Sequence, residues 1–303
     1  MPDLPTYVLI TPARNEARFI AQTLNSVVAQ TVLPIKWIIV SDGSTDGTDD
    51  IVRGYLREYS WIELVRMPDR KERDFAGKVH AFNAGYARVK HLSYTVIGNL
   101  DGDISFDDKD YFAFLMSKFA EDPGLGVGGT PYRQGKSMHD YRFANIEDVC
   151  GACQLFRREC FEEIGGYRPL KGGGIDHVAF LMARMRGWRT RTFPDKVCLH
   201  HRPTGTAQRG VLMAKFTIGA LDYALGSHPL WEMFRMGYQM TKRPFLIGGL
   251  MLITGYAYAM LRRAQRPMPC ELVAFRRQEQ MQRLKRLFKR KQNLSSQLHV
   301  AGC

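Results

Sequence analysis

Cysteine is scarce in this chain: six in 303 residues exclude a disulfide-built scaffold. The one C-x-x-C pair, Cys150 and Cys153 with Cys160 near it, lacks the second pair that a structural zinc site needs, so these thiols read as small core residues. No internal repeat and no extended low-complexity linker breaks the chain. No charged segment followed by an apolar run precedes Tyr7 to Ile10, so no secretory leader is expected and a cytoplasmic chain is. At 45% hydrophobic and 24% charged residues a real core is available, which excludes wholesale disorder.

Charge is present in excess but unevenly. Residues 262 to 291 hold eleven Lys and Arg against Glu271 and Glu279, a net +9 out of the chain's +13. A body that coats nucleic acid over its whole surface is therefore not expected, and the question of a basic partner belongs to the tail.

The first 100 residues alternate apolar runs with amphipathic stretches. Tyr7 to Ile10, Trp37 to Val40, Ile62 to Val65 and Tyr94 to Leu100 read as strands. Helices are expected from an Asn15-led start to about Ala29, from Thr48 to Tyr59, and from Gly77 to about Val89. Strands without polar alternation, separated by helices, predict a parallel sheet covered on both faces. Ligands of such sheets bind at the carboxyl ends of the strands. There stand Thr11 to Glu16, Ser41 to Thr48, and Asp101-Gly102-Asp103, three polar loops at one edge.

Asp101 and Asp103 are two hard carboxylates suited to Mg²⁺ or Mn²⁺ with positions left for phosphate oxygens. Asp42 can accept from a nucleobase imino group, and Lys78 at a helix start can offset diphosphate charge. Farther on, Gly172 to Gly174 lead into Ile175-Asp176 and a helix to about Arg186, a combination suited to close backbone approach and to a lid. A strand-like Asp195 to Leu199 ends in His200 and His201, which alternation sends to opposite faces.

The ordered set P-x-x-N-E (Pro12 to Glu16), S-D-G-S-x-D-x-T (Ser41 to Thr48), G-K-x-x-A-x-N-x-G (Gly77 to Gly85), D-x-D (Asp101 to Asp103) and G-G-Y (Gly165 to Tyr167), followed by an acidic-started helix with R-x-x-G, resembles the inverting family 2 glycosyltransferases of GT-A fold over about residues 6 to 200. The resemblance implies an α/β, Rossmann-like, mostly parallel sheet covered by helices, and a nucleotide-diphospho-sugar donor. It implies Asp42 at the base, Pro12, Arg14, Glu16, Lys78 and Asn83 near the donor, Asp101 at the ribose and metal, and Asp103 on the metal with His200 or His201. The family's Glu-Asp pair falls on Ile175-Asp176, so the glutamate is missing while the residue that takes the proton, Asp176, is present. Gln208-Arg209-Gly210 lacks the tryptophan of the processive members' Q-x-x-R-W, so transfer of a single hexosyl unit is expected over polymer synthesis.

The expected organisation is a catalytic domain over residues 1–210 and a helical, membrane-associating region over 211–303. Pro244 to Leu261 is an uncharged stretch of 18 residues, about 27 Å as a helix and just short of a bilayer span. With basic residues at both ends it reads as re-entrant or interfacial, both ends cytoplasmic. Glu271 to Lys291 mixes Leu272, Val273, Phe275, Met281, Leu284, Leu287 and Phe288 with arginines and reads as a helix lying on anionic lipid; a packed helix with a solvated basic face is the other reading. Gly226 to Trp231 breaks the preceding helix and could carry Trp231 to an interface. The expected partners are a nucleotide sugar, a saccharide or polyprenyl-linked acceptor and the inner membrane surface at its cytoplasmic side, with no nucleic acid. The competing classes are a sugar nucleotidyltransferase, disfavoured because Thr11 to Glu16 lacks a Gly-rich basic loop, and a non-enzymatic basic-tailed binder of nucleic acid or membrane.

Overall fold

A computed structural model describes residues 4–69, 75–135, 137–138, 145–202 and 210–300, the backbone alone at 137–138, 288 and 290–300. It divides into two compact units, Met1–Pro203 and Thr204–Cys303.

In chain order the first unit comprises β1 (Tyr7–Ala13), α1 (Ile20–Val28), β2 (Lys36–Ser41), α2 (Thr48–Leu56), β3 (Ile62–Arg66), α3 (Phe75–Val89), β4 (Val96–Leu100), β5 (Ile104–Ser105), α4 (Tyr111–Glu121), β6 (Leu125–Gly129), β7 (Tyr132–Gln134), β8 (Ser137–Met138), β9 (Cys153–Arg157), α5 (Arg158–Glu163), α6 (Ile175–Met185), β10 (Arg189–Thr192) and β11 (Cys198–His200). Seven strands form one sheet in the order β10-β6-β9-β4-β1-β2-β3. Val8 to Ile10 and Trp37 to Val40 are fully buried, which is why these strands show no polar alternation: both faces lie under helices. Gly85 lets α3 cross β1 closely, since a Cβ there would stand 2.6 Å from Ile10 Cγ2.

Parallel pairing links β1 to β2 and β4, β2 to β3, and β6 to β10, whereas β9 runs antiparallel to β4 and β6. The sheet is mostly parallel, as expected, with β9 as its one antiparallel strand. The second residue of β9, the fully buried Gln154, breaks the apolar run and hides the strand from an apolar-run search. The Gln154 amide donates to Val149 O at 3.0 Å and accepts from the Tyr167 hydroxyl at 2.8 Å, so it is satisfied in place. The reversal brings the start of β9 to the edge where β1, β2 and β4 end.

A second sheet, β5-β11-β7-β8, pairs β11 antiparallel with β5, opposing His200 to Ile104. The strand expected at Asp195 to Leu199 starts three residues later and ends one later, at Cys198–His200. The first helix also starts later than expected, at Ile20, because Asn15 is left-handed (φ 56°) and spends its side chain on a neighbouring loop.

The second unit comprises α7 (Val211–Ala224), α8 (Pro229–Met240), α9 (Ile247–Leu261) and α10 (Cys270–Val300). The α7 and α9 backbones touch at glycines: a Cβ on Gly219 would lie 1.9 Å from Leu252 O, and one on Gly255 2.0 Å from Phe216 O. Asp222, 8% exposed, is paired with Arg276 at 3.0 Å and with Arg235, which also holds the fully buried Glu232 at 3.2 Å. Among the described residues no helix is long and apolar enough to cross a membrane.

One expectation for this region is corrected. Leu272 and Val273 are not anchors held out to lipid but are 1% and 9% exposed, alongside the buried Arg276. The apolar positions at the start of α10 face inward because α10 closes over the α7–α8 turn, where the Arg276 guanidinium donates to Leu225 O at 2.7 Å. Trp231 is half-buried, with the Arg283 guanidinium over its ring at 5.3 Å.

Candidate active site

The carboxyl ends of β1, β2 and β4 present Arg14 and Glu16, Asp42, and Asp101 with Asp103 along one edge. The first two loops are stitched together. Asn15 N–H donates to Ser44 Oγ (3.1 Å), Glu16 N–H to Thr48 Oγ1 (2.8 Å), Ala17 N–H to Asp46 Oδ2 (2.9 Å), and Thr45 N–H to Asn15 Oδ1 (2.9 Å). Much of the S-D-G-S-x-D-x-T segment therefore serves as a clasp on the β1 loop. Within it Asp42, 4% exposed, faces Arg14 Nη1 at 3.5 Å. Pro12 is the partly buried penultimate residue of β1.

Lys78, in the first turn of α3, reaches Asp101 Oδ1 at 2.5 Å. Asn99 donates from Nδ2 both to that oxygen (3.1 Å) and to Gly151 O (2.7 Å). Gly151 N–H in turn donates to Asp176 Oδ2 at 3.0 Å. A continuous chain of contacts thus runs from Lys78 through Asp101, Asn99 and Gly151 to Asp176. Burial tends to lower the Lys78 pKa, but Asp101, Asp176 and Asp103 together raise it, so the ammonium is held charged. Burial moves the Asp101 carboxyl the other way, upward.

Asp176 is the second residue of α6, whose N-cap is Gly174 in the left-handed region (φ 78°). Asp176 does not cap this helix; its carboxylate turns to the Gly151 amide.

Asp103, 7% exposed, has His200 Nε2 3.4 Å from Oδ1 and Arg202 Nε 3.2 Å from Oδ2. Burial pushes this carboxyl up, but His200, Arg202 and Lys78 outweigh it and hold it below the ordinary carboxylate range. The two histidines part company. His200 faces Asp103, its Nδ1 3.4 Å from the Gln134 amide, while the His201 ring meets Ser105 Oγ at 2.7 Å and stacks on Phe19. Burial lowers the His201 pKa, keeping that ring neutral.

As a test of the metal expectation, a hard carboxylate oxygen and a borderline imidazole nitrogen 3.4 Å apart, Asp103 Oδ1 and His200 Nε2, suit adjacent positions on one octahedral cation after a shift of a few tenths of an ångström. Among the described residues no group of three or more His, Cys, Asp and Glu forms a complete protein cage, so the fit is to an ion that keeps water or phosphate oxygens. Asp101 is turned to Lys78 and Asn99.

Asn83 stands exposed on α3, about 140° around the helix from Lys78. Gln208 and Arg209 lie outside the described residues. Sequence reasoning missed Arg202, Asn99 and Gly151. Arg202 also pairs with Glu16, and its only sequence signal is its place directly after the two histidines. The signal for Asn99 was a polar residue inside an otherwise apolar strand.

Three comparisons bear on this arrangement. The model of the family described as Glycosyl transferase family 2 matches residues 8–165. Over 111 residues, 37% of this chain, it is 33% identical to 4,4'-diaponeurosporenoate glycosyltransferase of Staphylococcus aureus, and the chain spans about a quarter of that protein's length (27%). In fold it is similar to the mannosyltransferase PcManGT of Pyrobaculum calidifontis, solved with GDP-Man and Mn²⁺, with a TM-score of 0.58 at 20% identity over 90% of this chain and 79% of that one. It is also similar to S. aureus TarS 1-349 with UDP-GlcNAc, with a TM-score of 0.55 at 16% identity over 72% of this chain and 66% of that one.

Proposed function

The chain belongs to glycosyl transferase family 2, whose model covers just over half of it, and on that premise we propose that it is an inverting, metal-assisted transferase moving one sugar from a nucleotide-diphospho-sugar to a saccharide or lipid-linked hydroxyl. The observation that carries this reading is the chain of contacts from Lys78 through Asp101, Asn99 and Gly151 to Asp176. It ties a cation suited to a diphosphate to a carboxylate suited to an acceptor. The nucleotide sugars bound by the structural neighbours, GDP-Man and UDP-GlcNAc, support the donor class.

Asp42, braced by Arg14, accepts from the base imino group. Asp101, fixed by Lys78 and Asn99, accepts from the ribose hydroxyls. Lys78 offsets the diphosphate charge as the leaving group departs. Asp176, steered by the Gly151 amide, takes the proton of the acceptor hydroxyl as its oxygen attacks the anomeric carbon from the face opposite the diphosphate, which inverts that centre. Asp103 and His200 would hold Mg²⁺ or Mn²⁺, an ion that supplies charge stabilisation to the departing phosphate. Gln134, beside the far nitrogen of His200, orients that ring.

The apolar and basic composition of residues 204–303 supports work at the cytoplasmic face of the cell membrane, in assembly of a cell-surface polysaccharide or glycolipid. Asp176→Asn tests the reading. Calorimetric binding of UDP- and GDP-sugars with Mn²⁺ should stay near wild type while transfer falls by ~10² or more, because only the proton acceptor is lost. Loss of donor binding with transfer per bound donor unchanged would show Asp176 to be structural. Donor affinity unchanged by chelation and by Asp103→Asn would remove the metal.

A further inference from the structure

Among the described residues, fifteen of the eighteen exposed large hydrophobic residues lie in the second unit, Leu246 (67%) and Leu261 (80%) among them. On α9 they follow helical spacing. Ile247, Leu250, Tyr258 and Leu261 share one side with Thr254, while Gly248, Leu252, Gly255, Tyr256 and Ala259 form the side buried on α7 and α8. A helix that is apolar outward as well as inward has a face with no protein cover, and this face runs about 22 Å.

Charge identifies what covers it. From residue 210 to 270 the only acids are Asp222 and Glu232, both buried against arginines, whereas Lys242, Arg243, Arg262, Arg263 and Arg266 are exposed. The outer stripe of α9 therefore has a pair of cations at each end and no exposed acid between them. That is the pattern of a helix lying in a bilayer interface with its basic ends among anionic headgroups. A second copy would bring the same positive charge to the contact. At 15 residues α9 is too short to span.

We infer that the α9 stripe, with Phe245 and Leu246 at its start, is a monotopic seat on an anionic lipid surface, and that α10 is not that seat. This deepens the membrane-side part of the proposed function and rests on it only for the purpose the seat serves.

The test uses the full chain in flotation with vesicles of phosphatidylcholine alone or mixed with phosphatidylglycerol. Wild-type protein should float with the anionic vesicles. Ile247→Ser/Leu250→Ser/Leu261→Ser should lose more than ~10-fold in partitioning, as should the single Leu261→Asp, whose site is too exposed to affect folding. Lys285→Gln/Arg286→Gln/Lys289→Gln on α10 should float nearly as wild type. Donor binding should persist in all of them. The inference is overturned if wild type does not float, if Leu261→Asp floats equally well, or if the α10 variant alone loses binding. It is also overturned if light scattering shows a wild-type dimer that Leu261→Asp dissolves, which would assign the stripe to a second copy. Flotation as expected without donor binding in any variant would instead defeat the proposed function and leave the seat standing.

Discussion

The backbone amide of Gly151 donates to Asp176 Oδ2 at 3.0 Å, and a Cβ on Gly151 would lie 2.8 Å from that same oxygen. The glycine orients the carboxylate and is also the only residue that leaves room for it. Two segments 25 residues apart in sequence meet here because β9 starts at the edge where β4 ends, with Asp101 N–H donating to Ala152 O at 2.9 Å.

Gly151→Ala should therefore act on the base before the donor. The methyl displaces the Asp176 carboxylate, so kcat is expected to fall ~10-fold or more with donor affinity unchanged, and stability by about 1–3 kcal/mol. Steady-state kinetics beside donor calorimetry and thermal melting check this; an equal loss of donor affinity would place the strain elsewhere.

Lys78→Gln should weaken donor binding by ~10-fold or more, since it removes the cation aimed at the diphosphate. It also strands the Asp101 carboxylate, so stability drops. Adding Asp101→Asn should recover stability but not donor affinity. Recovery of both would make the pair purely structural.

In the second unit, Asp222→Ala leaves the buried Arg276 without its carboxylate and leaves the half-buried Arg235 only Glu232. A loss of about 3–5 kcal/mol is expected in chemical denaturation. The exposed Arg53–Asp50 pair offers the contrast: Asp50→Ala should cost less than about 1 kcal/mol.

Asp46 contributes to the acid limb of the first unit. Its partial burial acts to raise the pKa, but donors from the Thr48 hydroxyl, Ala17 N–H and Thr48 N–H together hold it below the ordinary value. Because the native value lies below the unfolded one, the stabilisation is complete above about pH 4 and is lost as pH falls through the native value. Asp46→Asn should thus lower stability near neutrality and flatten the pH dependence in the window below about pH 4. Parallel denaturation curves for the two proteins across that window would refute the assignment.

Sequence by itself determined the central strands, the order of the site loops and the identity of the acidic residues, because fully buried strands must be continuous in apolar side chains and loop chemistry falls where they end. Val8 to Ile10, Trp37 to Val40 and the D-x-D at the end of β4 were all legible on that ground. Only the tertiary structure decided which partners those residues take. β9 carries a buried glutamine and betrays no apolar run, yet it brings Gly151 to Asp176. The pairing of β5 with β11 turns His200, not His201, to Asp103 and sets Arg202 beside it. Leu272 and Val273 look from the sequence like lipid anchors until α10 folds inward, while the α9 stripe stays outside. A hydrophobic pattern records that a side chain leaves water, and contacts between distant segments alone decide what it meets there.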